Sequence, residues 1–347
     1  MTRPPKISVL IPTFRYARFL PEAIDSVLAQ DCSDFELLIS DDASDDTSAD
    51  IIRDYAARDS RIRFQIHERN LGMVANWNWC LAEARGRYVK FVFGDDCLPS
   101  PRSLGRMAEM LEGEPRAVLA ATARVILDAR SQRVEVWDKL GRAGHQRGGD
   151  VIGRCLRADR NLIGEPSAVM FPRVAAARGF DATFRQLVDQ EMWFHLLSAG
   201  DLVYDPEPLC AFRLHSHQQT VVNRAEQVAS AETMRIVVRY FDHFLASEGI
   251  RPNTFRMRRR LARHIYYSRK DSKRSPLIVA AEAAMMARLG RAWYFICWLT
   301  HRAAKPFENL GRTFRKRGAG ADAAAEEERR LNAVRRRAAA PPPPAAG

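Results

Sequence analysis

Two apolar runs in this chain stop abruptly at paired carboxylates. Tyr88-Val89-Lys90-Phe91-Val92-Phe93 reads as a buried strand and passes through Gly94 into Asp95-Asp96. Phe35-Glu36-Leu37-Leu38-Ile39-Ser40 repeats the pattern and enters Asp41-Asp42-Ala43-Ser44-Asp45-Asp46. Adjacent acids repel one another, so the fold must set positive charge or a ligand beside them. A hard divalent cation held by carboxylate and phosphate oxygens supplies that charge. Strands that deliver acids at their C-terminal ends fit an open α/β sheet, whose ligands bind along that edge.

The surrounding pattern agrees. Ile7–Ile11 reads as a first strand closed by Pro12, and a helical stripe of Leu20, Ile24, Val27 and Leu28 follows. Strands at 35, 62 and 88 then alternate with helices near 49–57 and 74–84. This βαβ rhythm predicts a mostly parallel sheet flanked by helices, an α/β class. A helix to about Leu111, a long strand Ala117–Leu127, strands Leu162–Phe171 and Leu202–Phe212, and a helix Val188–Ala199 continue it. Asp128–Asp150, rich in Arg, Gly and Gln, reads as a loop.

Charge is unevenly spread over the 347 residues. From Arg251 onward there are 23 Lys and Arg against 7 Asp and Glu, whereas the first 250 residues carry a net charge of −4. The basicity belongs to the tail, so a nucleic-acid footprint on the folded domain is not expected. The six cysteines form no C-x-x-C pair, which argues against zinc and for reduced thiols. Lys6 leads straight into the first strand, and no apolar leader is read before it. A cytoplasmic protein is expected.

Several positions carry candidate chemistry. Asp41 and Asp42 come too early to cap the next helix and can accept from a nucleobase N–H or a ribose hydroxyl. Ser44, Asp45 and Asp46 read as turn and cap residues. Asp95 and Asp96 point to a metal or a ribose. Arg69-Asn70-Leu71-Gly72 reads either as a plain turn before a helix or as a loop in which Asn70 meets the base or holds the loop that does. Asp189 falls on the apolar face of its helix with Met192 and Trp193, a costly place for an acid without a partner or a task. Glu191 falls nearly opposite, beside His195 and Ser198, and reads as solvated. Arg213-Leu214-His215-Ser216-His217 ends a strand and points to metal or diphosphate.

Taken in order, Val9-Leu10-Ile11-Pro12-Thr13-Phe14, the Asp41–Asp46 run, Asn70-Leu71-Gly72, Gly94-Asp95-Asp96 and Val188-Asp189-Gln190-Glu191-Met192-Trp193 resemble the GT-A-fold glycosyltransferases of family two. The resemblance covers about residues 6–220. It implies a GT-A sheet and metal-dependent, inverting transfer from a nucleotide-diphosphate sugar to an acceptor hydroxyl, in cell-surface polysaccharide or glycolipid assembly. Pro12, Thr13, Phe14, Asp41, Asp42, Asn70 and Asp95 would meet the nucleotide sugar. Asp96 and His215 would meet Mg²⁺ or Mn²⁺, and Asp189 would be the general base. The family's acidic pair is usually Glu-Asp; here Val188 takes the Glu position, which leaves Asp189 and Glu191 both open as the base. Two alternatives stand beside this reading: a catalytically degenerate scaffold bound through the basic tail, and a sugar-phosphate nucleotidyltransferase. The latter lacks its glycine-rich loop here, since Pro12-Thr13-Phe14-Arg15-Tyr16 contains no glycine.

The expected domains are a catalytic domain at 1–220, a basic helical extension at 221–305 and a low-complexity, disordered tail at 306–347. The extension combines Arg256-Met257-Arg258-Arg259-Arg260 with Trp293-Tyr294-Phe295-Ile296-Cys297-Trp298-Leu299. Arg288 and Arg291 interrupt its apolar run, so helices lying on an anionic membrane surface are expected in place of a span.

Overall fold

The computed structural model describes residues 3–215, 228–247, 262, 265–266 and 276–299. The chain divides into two compact units, Met1–Arg213 and Leu214–Gly347. The sequence-based boundary at 220 lies seven residues later.

In the first unit nine strands form one sheet. They are β1 (Ile7–Thr13), β2 (Phe35–Asp41), β3 (Ile62–Ile66), β4 (Tyr88–Phe91), β5 (Ala117–Leu127), β6 (Arg133–Trp137), β7 (Gly144–Gln146), β8 (Val169–Pro172) and β9 (Asp201–Arg213). Their order is β3-β2-β1-β4-β8-β5-β9-β7, with β6 added to β5. β1 to β4 are mutually parallel; β8 runs antiparallel between β4 and β5, and β9 is parallel to β5. The reversal at β8 matters. The ends of β1, β2, β3, β4, β5 and β9 and the start of β8 therefore share one edge.

Six helices cover the sheet: α1 (Leu20–Leu28), α2 (Ser48–Arg58), α3 (Met73–Glu83), α4 (Ser103–Glu112), α5 (Gly148–Ala158) and α6 (Val188–Leu197). Every residue of β1, β2 and β4 is buried, without alternation, as expected for parallel strands covered on both faces. Ile7, Val9, Ile11, Leu37 and Ile39 pack with Leu20, Ile24, Val27 and Ile52 in one core.

Two expectations are corrected. The strand expected at 162–171 is short: 161–165 is a loop, Pro166–Ala168 a 3-10 turn, and pairing begins only at Val169. Gly164 (φ 132°) and Pro166 explain the delay, since one takes a left-handed backbone and the other donates no N–H. Conversely, the loop expected at 128–150 contains β6 and β7 and the start of α5. β6 alternates charged and apolar residues as an edge strand on β5, and α5 buries Val151, Ile152, Cys155 and Leu156.

The second unit contains α7 (Val228–Ser247), which leaves helical geometry at Tyr240, and α8 (Pro276–Leu289), which packs on it; residues 291–299 are also helical. Among the described residues no helix is long and apolar enough to cross a membrane. The basic run Arg256–Arg260 and the tail 306–347 lie outside the described residues.

Candidate active site

The acid-bearing edge is assembled by hydrogen bonds between loops. Thr13 ends β1 opposite Asp41 of β2. Asp41 closes its own turn: its oxygens accept from Ser44 N at 3.0 Å and Ser44 Oγ at 2.6 Å, across Ala43 with φ 59°. Asp42 reaches the next loop and accepts from Leu71 N at 2.7 Å and Gly72 N at 3.0 Å. Asn70 donates to the Asp42 carbonyl at 3.0 Å and accepts from Gly72 N at 3.0 Å. These contacts tie Asn70 to the strand-end loop that carries Asp42.

The three turn residues divide their work. Asp46 accepts from Ser48 N at the start of α2 and from Ala17 N, both at 3.0 Å. Asp45 makes a two-pronged pair with Arg15 at 2.6 and 2.7 Å, out in solvent. Ser44 Oγ also accepts from Arg15 N. Phe14 is exposed beneath the Arg15 guanidinium, whereas Pro12 and Thr13 are buried. Thr13 Oγ1 is buried without a hydrogen-bond partner, and Gly94 packs directly against it: a Cβ there would lie 2.7 Å away.

β4 ends at Phe91, two residues before the expected strand does. Phe93-Gly94-Asp95-Asp96 then forms a turn closed by Asp96 N to Phe93 O at 2.9 Å. Both acids are nearly fully buried. Asp96 accepts from the Ser167 hydroxyl and from Arg213 N at 3.0 Å. Burial, reinforced by Asp95, raises its carboxyl well above the usual carboxylate range. Tyr16 donates its hydroxyl to Asp95, and burial together with both acids pushes the phenol far up.

Arg213, from the strand-end run singled out in the sequence, and two side chains not singled out there, Lys90 and Ser167, build this corner. Arg213, fully buried, donates to the Asp95 carbonyl at 2.7 Å and to Glu22 at 2.7 Å, and lies over the Phe19 ring. Lys90, inside the apolar β4, donates to the Ser167 carbonyl. Burial pushes its amine down to about 8, against the pull of Asp96. Ser167 sits at the head of β8, and its hydroxyl also accepts from Phe93 N at 3.2 Å. The charge that the acids require thus comes partly from the protein. A lone Lys within a six-residue apolar run was the available sequence signal for Lys90; nothing local marks Ser167, which depends on the antiparallel turn of β8.

Asp189 opens α6. It is partly open to solvent, yet burial, with Glu165 nearby, pushes its carboxyl up to about 7. Asn161 Nδ2 donates to its Oδ2 at 3.0 Å, and Gln190 N to its Oδ1 at 2.7 Å. Glu191 is not solvated as expected. It is fully buried, and Arg178 grips both of its oxygens, at 3.0 and 2.5 Å. Periodicity alone misplaced it because α6 is buried on nearly every side. His215 is buried and falls at the start of the second unit.

Among the described residues no group of three or more His, Cys, Asp and Glu is placed to hold a metal ion. A cation shared with a diphosphate needs only one or two protein carboxylates, and the buried Asp95-Asp96 turn offers two. The residues therefore fit such a metal.

Comparisons with known proteins bear on the family and the fold. Residues 8–176 match the family model described as Glycosyl transferase family 2. An uncharacterised protein of Mycobacterium tuberculosis is 31% identical over 261 residues, covering 73% of this chain and 79% of that protein. The GalNAc(5)-diNAcBac-PP-undecaprenol beta-1,3-glucosyltransferase of Campylobacter jejuni is 34% identical over 110 residues, 31% of this chain and 36% of its own length. Among solved structures, residues 1–349 of Staphylococcus aureus TarS with UDP-GlcNAc superpose with a TM-score of 0.62 over 83% of this chain and 82% of that one, at 16% identity. That likeness establishes the GT-A fold. The strand-end acids, the parallel sheet that presents them and the family match converge: the chain is a glycosyltransferase and belongs to glycosyl transferase family 2.

Proposed function

We propose that the chain transfers a sugar from a nucleotide-diphosphate donor to an acceptor hydroxyl, with divalent metal and with inversion at the anomeric carbon. The observation that carries this reading is the division of labour between two acid sites. Asp95-Asp96 forms a buried acidic turn held by Ser167 and Arg213, and Asp189 heads a helix with neutral donors on its carboxylate while Glu191 on the same helix is paired with Arg178.

In this reading the base and ribose lie along Pro12, Thr13, Phe14, Asp41, Asp42 and Asn70, with Asp95 at the ribose. Asp42 and Asn70 fix the loop that walls this side. Asp96 would hold Mg²⁺ or Mn²⁺, which would neutralise the leaving diphosphate as a Lewis acid. Asp189 removes the acceptor hydroxyl's proton as the new oxygen–carbon bond forms; the bond to the diphosphate breaks and its electron pair leaves with that group. Such base assistance is worth ~10²–10⁴-fold. Attack from the face opposite the diphosphate inverts the configuration.

The acceptor in this reading is carried on a membrane lipid, in polysaccharide or glycolipid assembly at the cytoplasmic membrane face. The Campylobacter relative is named for an undecaprenol-linked substrate. In the second unit Phe295, Ile296 and Leu299 are exposed on one helix, in a segment with strong excess of Arg and Lys. Apolar side chains among cations suit an anionic lipid surface, and nucleic acid is not a partner. Release of nucleoside diphosphate, measured over a panel of nucleotide sugars with and without Mg²⁺ or Mn²⁺, tests the proposal. Metal-dependent release from one donor is expected. No release from any donor, with donor binding still detectable, would favour a non-catalytic role.

A further inference from the structure

The loop 159–165, between α5 and the 3-10 turn, carries two polar side chains that the reaction described so far does not use. Both face Asp189. Asn161 makes four hydrogen bonds with its amide. Its Oδ1 accepts from Ile163 N at 3.0 Å and Gly164 N at 3.1 Å; its Nδ2 donates to Gly164 O and to Asp189 Oδ2, each at 3.0 Å. A surface turn needs only the first two of these. The fourth joins the loop to the carboxylate at the head of α6. Gly164 O also accepts from Trp193 Nε1 at 2.9 Å, so the loop is tied to α6 a second time, one turn further on.

Glu165 ends the same loop. It pairs with Arg124 of β5 at 2.6 Å, and Arg124 is buried beneath it. Gly164 permits this close approach: a Cβ there would lie 3.0 Å from Arg124 Nη1 and 2.8 Å from the Ala168 Cβ. The Glu165 charge, itself paired with Arg124 of β5, helps raise the Asp189 carboxyl, while Glu191 on α6 is closed by Arg178.

We propose that Asn161 is a positioning residue for Asp189, fixing which carboxylate oxygen is held and which faces the acceptor, and that Glu165 on the same loop opposes it electrostatically. The inference rests on Asp189 being the base. The Asn161 N–H stabilises the ionised carboxylate, whereas the neighbouring Glu165 charge disfavours it. Removing the two therefore shifts the proton affinity of Asp189 in opposite directions. Asp189 works ionised, so its titration forms the acid limb of the rate profile.

The experiment measures kcat and donor KM from pH 5 to 9 for the full chain and for Asn161→Ala, Glu165→Gln and Asp189→Asn. Asn161→Ala is expected to move the acid limb to higher pH and Glu165→Gln to move it to lower pH, each by about half to one unit. Asn161→Ala should also lower the plateau kcat about tenfold, through misplacement of the base, with donor KM changed less than about threefold. A structural lesion would lower kcat equally at all pH values and leave the limb in place, and that result would overturn the proposal. Should Asn161→Ala fail to fold, Asn161→Asp, which keeps the acceptor for Ile163 N and Gly164 N and removes the donor to Asp189, decides: an unmoved or lowered limb refutes the positioning role. Asp189→Asn separates the two claims. If that variant keeps full turnover, the base assignment fails and the positioning role fails with it. If it is inactive while the other two leave the limb unmoved, only the positioning role fails.

Discussion

Asp189 and Glu191 sit two positions apart on one helix and have opposite fates. Arg178 neutralises Glu191 with two hydrogen bonds, whereas Asp189 accepts from the neutral donors Asn161 and Gln190 N and is raised by burial and the Glu165 charge. Its carboxyl is pushed up to about 7, so it binds a proton below neutrality. If the ionised form is the base, kcat should rise with pH through about 7 and fall roughly tenfold per unit below it. A stopped assay across pH 5–9 checks this, and a flat profile over that range would assign the limb elsewhere. The same scale separates the acids near the donor. Asp45 spends its charge on an exposed pair with Arg15, worth ~0.2–1 kcal/mol. Asp45→Ala should leave the rate within about fivefold. Asp96→Asn should cut it ~10²-fold or more and raise the metal concentration needed, because one anionic ligand for the cation is lost. Equal damage from the two would mean that the acids are misassigned.

At the scale of elements, the sequence shows the half of the sheet that is local and hides the half that is not. β1 to β4 and their helices follow one repeating pattern of apolar runs and caps, and their boundaries agree with expectation within a residue or two; only β4 closes early, at Phe91. The acids at the ends of β2 and β4 were legible because position after a strand fixes position on the edge. β8 was not. It enters against the direction of its neighbours, so Ser167 and Glu165 reach the edge from the strand's beginning, where no sequence rule looks for them. Arg213 was legible as a strand-end cation, but its work as a clamp on the Asp95-Asp96 turn depends on contacts 118 positions back in the chain. Gly164 carries this hidden half. Its φ of 132° and the 2.8 Å approach to Ala168 leave no room for a side chain. Gly164→Ala should cost about 1–3 kcal/mol and lower the melting temperature by several degrees. Scanning calorimetry of the variant checks this; an unchanged transition would mean that the loop is not held as described.

For the whole molecule, the contrast lies between a catalytic unit of slight negative charge and a strongly basic remainder. The exposed Phe295, Ile296 and Leu299 suit a surface that offers both hydrocarbon and phosphate. Full-length protein should sediment with anionic liposomes at low salt and release as salt screens the arginines, and a chain ending at Gly249 should stay in the supernatant. Full-length protein that ignores such vesicles even at low salt would assign those helices to packing alone. The central claim lies in the first unit and has a sharper test. Donor affinity by calorimetry and single-turnover release of nucleoside diphosphate should be measured together, with metal, acceptor and donor present, for wild type and Asp189→Asn. Donor affinity within about threefold and turnover reduced ~10²–10⁴-fold are expected, because only the acceptor's base is lost. Turnover retained, or donor affinity lost in step with it, would contradict the assignment of Asp189 as the base.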